Sequence, residues 1–263
     1  MADKKTVEKK QKETALVKVN GDLLLPEELI PELEESPSLQ EIGEEDRMTP
    51  YYCFNVKLTD SEGNWYPPNV FFHTLREDSK PSVECILLFL HKTNRYRVYS
   101  EETGSETVCQ SLDCRTGLWT DTGEERVCKG CEYALWKNHT PPLCKLCYSF
   151  VGMDVEDGEP FIITAKSTSL SPARQYLNKN FLRKLQGVDL PLYVYRTRLG
   201  LVQPNGTYAV LTFERGPANS AKDIRGFAAL TKDLLASRRL DFTFEQPEEV
   251  DVVEESEKDD LPF

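Results

Sequence analysis

Apolar residues between positions 49 and 100 occur in short runs that are rich in aromatic and β-branched side chains. Such runs predict antiparallel strands, and they read YYCFNVKL, NVFFHTL, VECILLFLHK and RYRVYS. The polar segments SEGN, REDSKP and TN separate them and predict turns. Two later runs, YSFVGMDV and PFIITAK, are joined by EDGE and predict a hairpin. This part of the chain is therefore expected to form an antiparallel sheet.

Helical patterns follow the strand-rich part. Ser171 suits the N-cap of a helix, Pro172 suits its first position and Gly187 suits its C-cap, so a helix is predicted over this segment. The runs LPLYVYRTRLGLVQ and TYAVLTFER predict a second hairpin, and SAKDIRGFAALTKDLLASRR predicts a closing amphipathic helix. Short strands, one or two helices and no βαβ alternation predict a mainly β, α+β fold, namely an OB-fold-like Greek-key barrel with insertions.

Charge divides the chain into segments of opposite sign. The 263 residues carry a net charge of -12 and are 39% hydrophobic, which is enough for a buried core. Residues 1–21 hold six Lys and three Asp/Glu, whereas residues 22–46 hold ten Asp/Glu and no Lys/Arg. Residues 241–263 hold ten Asp/Glu and one Lys. The remainder, 47–240, is therefore positive, and residues 165–240 alone carry thirteen Lys/Arg against four Asp/Glu.

The sequence does not predict a membrane protein. Its longest apolar run, Cys85 to Leu90, is far shorter than the roughly 20 residues that a membrane-spanning helix needs. The first twenty residues contain six lysines and no apolar stretch of the secretory type. A cytoplasmic location is therefore expected, where cysteines stay reduced or bind metal.

Cys53 and Cys85 lie inside strand-like runs and are predicted to be small buried core residues. The other six of the eight cysteines lie between residues 109 and 147, and their spacing predicts a structural zinc site. Cys128 and Cys131 form one CxxC pair, and Cys144 and Cys147 form a second pair twelve residues later. Four thiolates can hold one tetrahedral zinc ion at about 2.3 Å. Cys128, Cys131 and Cys144 are common to both plausible ligand sets. The fourth ligand is Cys147 or the upstream Cys109.

The segment around these cysteines carries three aromatic residues whose role the sequence leaves open. Trp119, Tyr133 and Trp136 form either a small core for the zinc module or an exposed stacking surface. The predicted organisation is a charged, partly disordered segment over residues 1–47 and an OB-like domain over residues 48–240. The zinc module occupies about 105–150 of that domain, and residues 241–263 form a disordered acidic tail.

No catalytic pattern stands above chance. The chain lacks a phosphate loop, a GxSxG elbow, an HExxH motif and a cysteine nucleophile beside a histidine. The acidic group at Asp154, Glu156, Asp157 and Glu159 surrounds Gly158 and predicts a solvated turn. A zinc-dependent nuclease or deaminase would need an acid-base residue that the sequence does not supply. The protein is therefore predicted not to be an enzyme.

Basic and aromatic residues interleave in two strand-like runs, which is the combination that binds single strands through phosphates and stacked bases. Alternation in RYRVY places Arg95, Arg97 and Tyr99 on one sheet face and leaves Tyr96 opposite. In YVYRTR it separates the two tyrosines from the two arginines. The predicted DNA contacts are Arg95, Tyr96, Arg97, Tyr99, Trp136, Lys166, Arg174, Lys179, Tyr193, Tyr195, Arg196 and Arg198.

The C-terminal residues resemble the acidic, Phe-terminated tip of bacterial single-stranded DNA-binding proteins. The matching residues are Asp259, Asp260, Leu261, Pro262 and Phe263. The resemblance implies that this tip recruits replication enzymes such as a helicase, primase or polymerase. A terminal Phe and its carboxylate suit an apolar pocket with a basic rim.

The middle of the chain looks like phage-encoded single-stranded DNA-binding proteins with a zinc-binding insertion in an OB-like core. The resembling stretch runs from Cys109-Gln-Ser through Cys128-x-x-Cys131 to Pro-Pro-Leu-Cys144-Lys. The resemblance implies Cys109, Cys128, Cys131 and Cys144 as the zinc ligands, which competes with the two-CxxC interpretation.

These observations predict a non-specific single-stranded DNA-binding protein of replication and recombination, located in the bacterial host cytoplasm if phage-encoded. Because the tail and the basic core have opposite charges, the tail is also expected to occupy the basic surface when DNA is absent. The alternative is a zinc-ribbon transcription or recombination accessory factor, which would prefer a protein partner or duplex DNA.

Overall fold

The structure is a computed structural model that describes residues 16–19, 23–26, 49–54, 69–100, 104–137, 140–182, 189–204, 208–237 and 242. The chain forms two compact units, residues 1–48 and residues 49–263. In the first unit, strands β1 (Leu16–Val19) and β2 (Leu23–Pro26) pair antiparallel. All other described elements belong to the second unit.

The described part of the second unit contains eleven strands and two α-helices. The strands are β3 (Tyr52–Cys53), β4 (Phe71–His73), β5 (Ser79–Lys80), β6 (Ser82–Ser100), β7 (Gly104–Ser111), β8 (Thr116–Trp119), β9 (Glu125–Val127), β10 (Cys144–Asp154), β11 (Pro160–Lys166), β12 (Tyr195–Val202) and β13 (Val210–Ala218). The helices are α1 (Leu170–Asn180) and α2 (Ala221–Ser237). Neither of these two helices combines the length and the apolar character that crossing a membrane requires.

The large sheet has the strand order β11-β10-β6-β7-β8-β9, and β12 and β13 join it through β6. Strand β6 is 19 residues long and has different neighbours along its length. Its first residues, Ser82 to Ile86, pair with β12, whereas Asn94 to Ser100 pair with β7. Strand β10 pairs with the middle of β6 throughout. A smaller sheet of order β3-β4-β5 lies in the same unit.

The prediction of a turn at Thr93-Asn94 is wrong, because both residues lie inside β6. Thr93 is paired with Cys147 of β10, and Asn94 is paired with Leu146 of β10 and Ser111 of β7. Pairing with the neighbouring strands provides hydrogen bonds for the extended backbone at Thr93 and Asn94. This pairing overrides the tendency of the dipeptide to form a turn. The two predicted runs on either side are therefore one continuous strand.

The mainly β, α+β class is confirmed, with open sheets and two α-helices among the described residues. The hairpin across EDGE is also present, and Gly158 in its turn has φ +76°, a conformation that favours glycine. No described pairing joins β11 to β13. Barrel closure therefore stays a prediction.

Both predicted helices form, with one shift in position. Helix α1 begins at Leu170, and Ser169 precedes it instead of Ser171. The Ser169 hydroxyl accepts a hydrogen bond from the Leu211 amide at 3.0 Å and so ties this helix to β13. The predicted end at Gly187 lies outside the described residues. Helix α2 starts as expected, where Ser220 Oγ accepts from the Asp223 amide at 3.2 Å.

The large sheet has apolar side chains on both faces. On one face, buried residues of β6, β10, β11 and β12 form the main core, which α1 covers with Ala173, Tyr176 and Leu177. On the other face, Val151 and Ile162 pack with Tyr51, Cys53 and the partly buried Leu234 of α2. The main-core side of β6 is called the core face below. Cys53 and Cys85 are fully buried strand residues, as the sequence predicts.

An ionic network connects the small sheet to the end of β10. Asp154 is only 3% exposed, and its carboxylate accepts hydrogen bonds from the Tyr52 hydroxyl at 2.7 Å and from Lys80 at 3.1 Å. The amide of Glu156 adds a third donor at 2.9 Å. Burial alone would raise the pKa of Asp154, but these donors outweigh it and the pKa is lowered.

Replacing Asp154 by Asn should lower the free energy of unfolding by about 2–4 kcal/mol near neutral pH, because Lys80 loses a buried counter-charge. The folded-state pKa of Asp154 lies below the unfolded value of about 3.9. Its carboxylate therefore stabilises the fold above that value, and the contribution is lost as the pH falls through the folded pKa. Urea unfolding of wild type and Asp154→Asn should converge as the pH is lowered.

Asp121→Asn is the matched control, since Asp121 is exposed in a turn. This substitution should change the free energy of unfolding by less than about 0.5 kcal/mol, both near neutral pH and at low pH. A wild-type advantage over Asp154→Asn that is independent of pH would contradict this account.

Candidate functional site

Three neighbouring strands place Cys144, Tyr96 and Cys109 in one row. Tyr96 of β6 is paired with Cys144 of β10 on one side and with Cys109 of β7 on the other. Directly paired residues of antiparallel strands point to the same face. The ladder continues from Cys109 to Trp119 of β8. Two cysteines that are 35 positions apart in the chain are thereby brought to one end of the core face.

The Cys128–Cys131 turn supplies two more thiols to the same place. The Cys131 amide donates to the Cys128 carbonyl at 3.1 Å, and Gly130 between them has φ +78°. That angle favours glycine, which is why the turn can be this tight. A small pocket is lined by all four cysteines, Cys109, Cys128, Cys131 and Cys144.

Gly117 has no side chain, and thiols of the pocket occupy the space beside it. A Cβ atom at this position would lie 2.9 Å from Cys109 Sγ and 3.6 Å from Cys128 Sγ. Any larger residue at position 117 would therefore displace the Cys109 thiol.

Cys147 does not line this pocket. It is paired with Thr93, three residues before the Tyr96 position that faces Cys144. Because side chains alternate along a strand, residues 144 and 147 of β10 point to opposite faces. When a CxxC sequence forms a turn, both of its thiols can bind the same metal ion. Cys144 and Cys147 instead lie in strand β10, which directs their side chains apart.

The pocket thiols interact electrostatically. Burial, with smaller contributions from neighbouring cysteines, raises the pKa of Cys144 to about 12 and also raises the pKa of Cys109. All eight cysteines are free thiols. In the described part of the chain, no three Cys, His, Asp or Glu side chains are already arranged as a metal-binding group. The pocket thus gathers four thiols, a donor set that suits a soft metal ion.

Aromatic rings form the small core beside this pocket. Tyr96 and Tyr133 are stacked with ring centroids 4.9 Å apart, and Trp119 meets both rings edge-on. The Arg126 guanidinium lies 4.7 Å from the centre of the Trp119 ring. Trp136 is instead 70% exposed. Of the two roles that the sequence left open, Trp119 and Tyr133 take the packing role and Trp136 presents an exposed ring.

The opposite face of the same strands gathers basic residues. Arg95 of β6 is paired with Lys145 of β10, and Arg97 follows two residues later on the same face. Lys166 of β11 is paired with Cys147, which is itself paired with Thr93. Arg95, Arg97, Lys145 and Lys166 therefore share one side of three adjacent strands. This surface is called the basic face below.

Phe242 contacts the basic face. Its ring stacks on His91 with centroids 4.2 Å apart and planes inclined by 27°. The Arg95 guanidinium donates a hydrogen bond to the Phe242 carbonyl oxygen. Phe242 also packs against the buried cluster that contains Val151 and Ile162. The predicted acidic tail begins at residue 241, so its first described residue already lies on the surface that the tail was expected to occupy.

The remaining predicted contacts do not join this surface. The Tyr96 ring lies on the other face, packed in the aromatic core. Arg174 of α1 lies over the Tyr148 ring at 5.8 Å, and Lys179 is exposed on the same helix. Because α1 packs on the core face, both cations are separated from the basic face by the sheet.

The second predicted basic–aromatic run also lies apart. Tyr193 sits in a 3-10 turn before β12, and the Tyr195 ring packs edge-on against Phe181. Arg196 and Arg198 are exposed on β12, where they pair with Ile86 and Glu84 at the other end of β6. About 30 Å of strand separates Ile86 from Arg95. The side chain of Tyr99 and the tip residues 259–263 are outside the described residues.

No local sequence pattern marks Lys145 or His91 as part of the basic face. Lys145 lies between two cysteines, so the sequence presents it only as part of the zinc motif. The assumed turn at Thr93 broke the two-residue alternation that carries His91 onto the face of Arg95. Reading residues 82–100 as one strand would have placed them together.

No protein-family model, curated protein or solved structure is significantly similar to this chain.

Proposed function

We propose that this protein binds single-stranded DNA without sequence specificity through its basic face, in replication or recombination. The observation that carries the proposal is the convergence of Arg95, Arg97, Lys145 and Lys166 on one face of β6, β10 and β11. Cations in a row track the phosphates of a strand, and an exposed ring such as Trp136 offers a stacking platform.

The order of the elements supports an OB-like arrangement. Strands β6, β10 and β11 precede α1, strands β12 and β13 follow it, and β6 pairs with both β10 and β12. In an OB fold, the face of the second and third strands and the loop between the first two bind oligonucleotides. Here those parts correspond to the basic face on β10 and β11 and to the cysteine-bearing insertion between β6 and β10.

We further propose that Cys109, Cys128, Cys131 and Cys144 hold a structural zinc ion. Four thiolates form a closed site, and the ion would cross-link the insertion without supplying an open catalytic position. These residues would fix the Cys128–Cys131 turn onto β7 and β10. The rest of the proposal, that the acidic tip at residues 259–263 recruits replication proteins in the bacterial cytoplasm, comes from the sequence resemblance and assigns no catalytic step.

Cys144→Ser and Cys147→Ser separate the two ligand sets that the sequence left open. We expect wild type and Cys147→Ser to bind one zinc ion per chain and Cys144→Ser to lose it, because Cys144 lines the pocket and Cys147 does not. Metal content of the purified proteins and the absorbance of bound Co²⁺ measure this. Zinc retained in Cys144→Ser but absent from Cys147→Ser would reverse the assignment.

Lys145→Ala tests the DNA proposal directly. The variant should bind labelled oligo-dT several-fold more weakly, and the slope of log K against log salt should decrease by about 0.7, because one phosphate contact is lost. Fluorescence anisotropy over a range of salt concentrations gives both quantities.

Lys179→Gln is the matched control, since Lys179 is exposed on α1 at the other side of the sheet. Its affinity and salt slope should equal those of wild type. Equal losses in the two variants would mean that the basic face has no special role.

A further inference from the structure

Beside the arginines of the basic face lie buried polar atoms that make no hydrogen bond within the described residues. They include His91 Nε2, Thr93 Oγ1 and Gln110 Nε2. His91 and Thr93 are two residues apart on β6 and share a face, and Gln110 of β7 is paired with Arg95, the next residue of that face. Buried polar groups are nearly always hydrogen-bonded, so such a row requires a physical explanation.

Thr93 is the strongest member of this row. Its side chain is fully buried at 0% exposure, and its hydroxyl has no partner in the described structure. A hydroxyl removed from water without a replacement hydrogen bond lowers the stability of the free protein. Local costs of this kind are expected where a residue serves a ligand instead of the fold. Ser149, on the same face, shows the ordinary arrangement, with its hydroxyl 3.0 Å from that of Thr164.

The three atoms offer complementary hydrogen-bonding chemistry. Burial lowers the pKa of His91, so its ring is neutral near neutral pH, and it hydrogen-bonds the Leu112 backbone. Because Nε2 is the unpartnered nitrogen, the bond to Leu112 uses Nδ1, which leaves Nε2 as an acceptor in the ring plane, directed away from any ring that stacks on His91. The Gln110 amide nitrogen is a donor, and a threonine hydroxyl can do both. A nucleobase edge carries such a mixture of donors and acceptors.

Phe242 shows that a flat ring fits against His91. The two rings are stacked with centroids 4.2 Å apart, and Arg95 binds the backbone of the same residue. A nucleotide whose base stacks on His91 and whose phosphate lies near Arg95 would make the same two kinds of contact, one with the ring and one with the guanidinium.

We propose that His91, Thr93 and Gln110 form a base-binding subsite, in which a nucleobase of the bound strand takes the place of the Phe242 ring. The base stacks on the His91 ring, and the Thr93 hydroxyl and the Gln110 amide hydrogen-bond its edge. The inference rests on the proposed single-strand binding and adds a contribution from bases to that of the phosphates. Strand binding then requires Phe242 to leave His91.

Thr93→Val tests the subsite, because valine has nearly the shape of threonine and lacks its hydroxyl. Two probes are used at the same salt concentration: oligo-dT of about 12 nucleotides, within the range that one OB fold covers, and an abasic strand of equal length. Wild type should bind oligo-dT more tightly. Thr93→Val should lose about 3- to 10-fold in affinity for oligo-dT, as for one hydrogen bond, and nothing for the abasic strand.

Thermal unfolding gives an independent readout. Thr93→Val should keep or raise the Tm of the free protein, since it removes an unpartnered buried hydroxyl. Ser149→Ala is the matched control and should leave the preference for oligo-dT unchanged. Phe242→Ala should tighten oligo-dT binding by about 3-fold or more, because the competing ring is gone.

The outcomes separate the two proposals. A wild type that binds neither probe overturns single-strand binding and the subsite with it. Equal binding of both probes, or an unchanged preference in Thr93→Val, overturns the subsite and leaves phosphate binding intact. A lower Tm in Thr93→Val with unchanged binding would assign the hydroxyl to the fold. An unchanged Phe242→Ala would overturn the occupation of the subsite by Phe242.

Discussion

The two-residue alternation along β6 is the constraint on which the candidate sites depend. This strand pairs with β10, β7 and β12, so a single backbone fixes the register of most of the large sheet. Tyr96 points to the core face, where the paired cysteines lie. Arg95 and Arg97 point to the other face with Lys145. The cysteine pocket and the basic face are thus opposite sides of the same strands, and a shift of one residue would exchange them.

This arrangement explains why the two surfaces have different chemistry although they share sequence segments. On one side, stacked rings and four thiols give the insertion a small interior of its own, which an insertion of this size cannot obtain from aliphatic burial. On the other side, cations and unpartnered polar atoms lie on paired strands, whose backbone groups are already hydrogen-bonded to one another. The basic face is therefore preorganised, and Phe242 is the described side chain that stacks on it. The Asp154 network anchors the far end of β10 and so helps to keep the strand in register.

Much of the fold follows from local pattern. The hairpins, the two helices and the buried cysteines Cys53 and Cys85 were predicted because apolar periodicity and turn chemistry agree there. The prediction failed at Thr93-Asn94, where tertiary pairing on both sides overrides the turn preference of an isolated dipeptide. Because a turn was predicted there, the sequence pattern did not indicate that His91, Thr93 and Arg95 lie on one face of a single strand.

The candidate metal ligands show the same limit. Spacing predicts that cysteines converge, but it cannot distinguish Cys109 from Cys147, because the choice depends on whether the second CxxC lies in a turn or in a strand. Register settles the placement: Cys144 faces the pocket with Cys109, and Cys147 faces the other way. Phe242 could not be predicted as a contact of His91, since no local pattern links residues so far apart in the chain.

Strand preference of the wild-type protein tests the central claim most directly. Fluorescence anisotropy would compare labelled oligo-dT with a duplex of equal length at low and moderate salt. The account predicts tight binding to the single strand that weakens as salt is added, and much weaker binding to the duplex. Equal affinity for the two, or no binding to either, would contradict a basic face built for single strands.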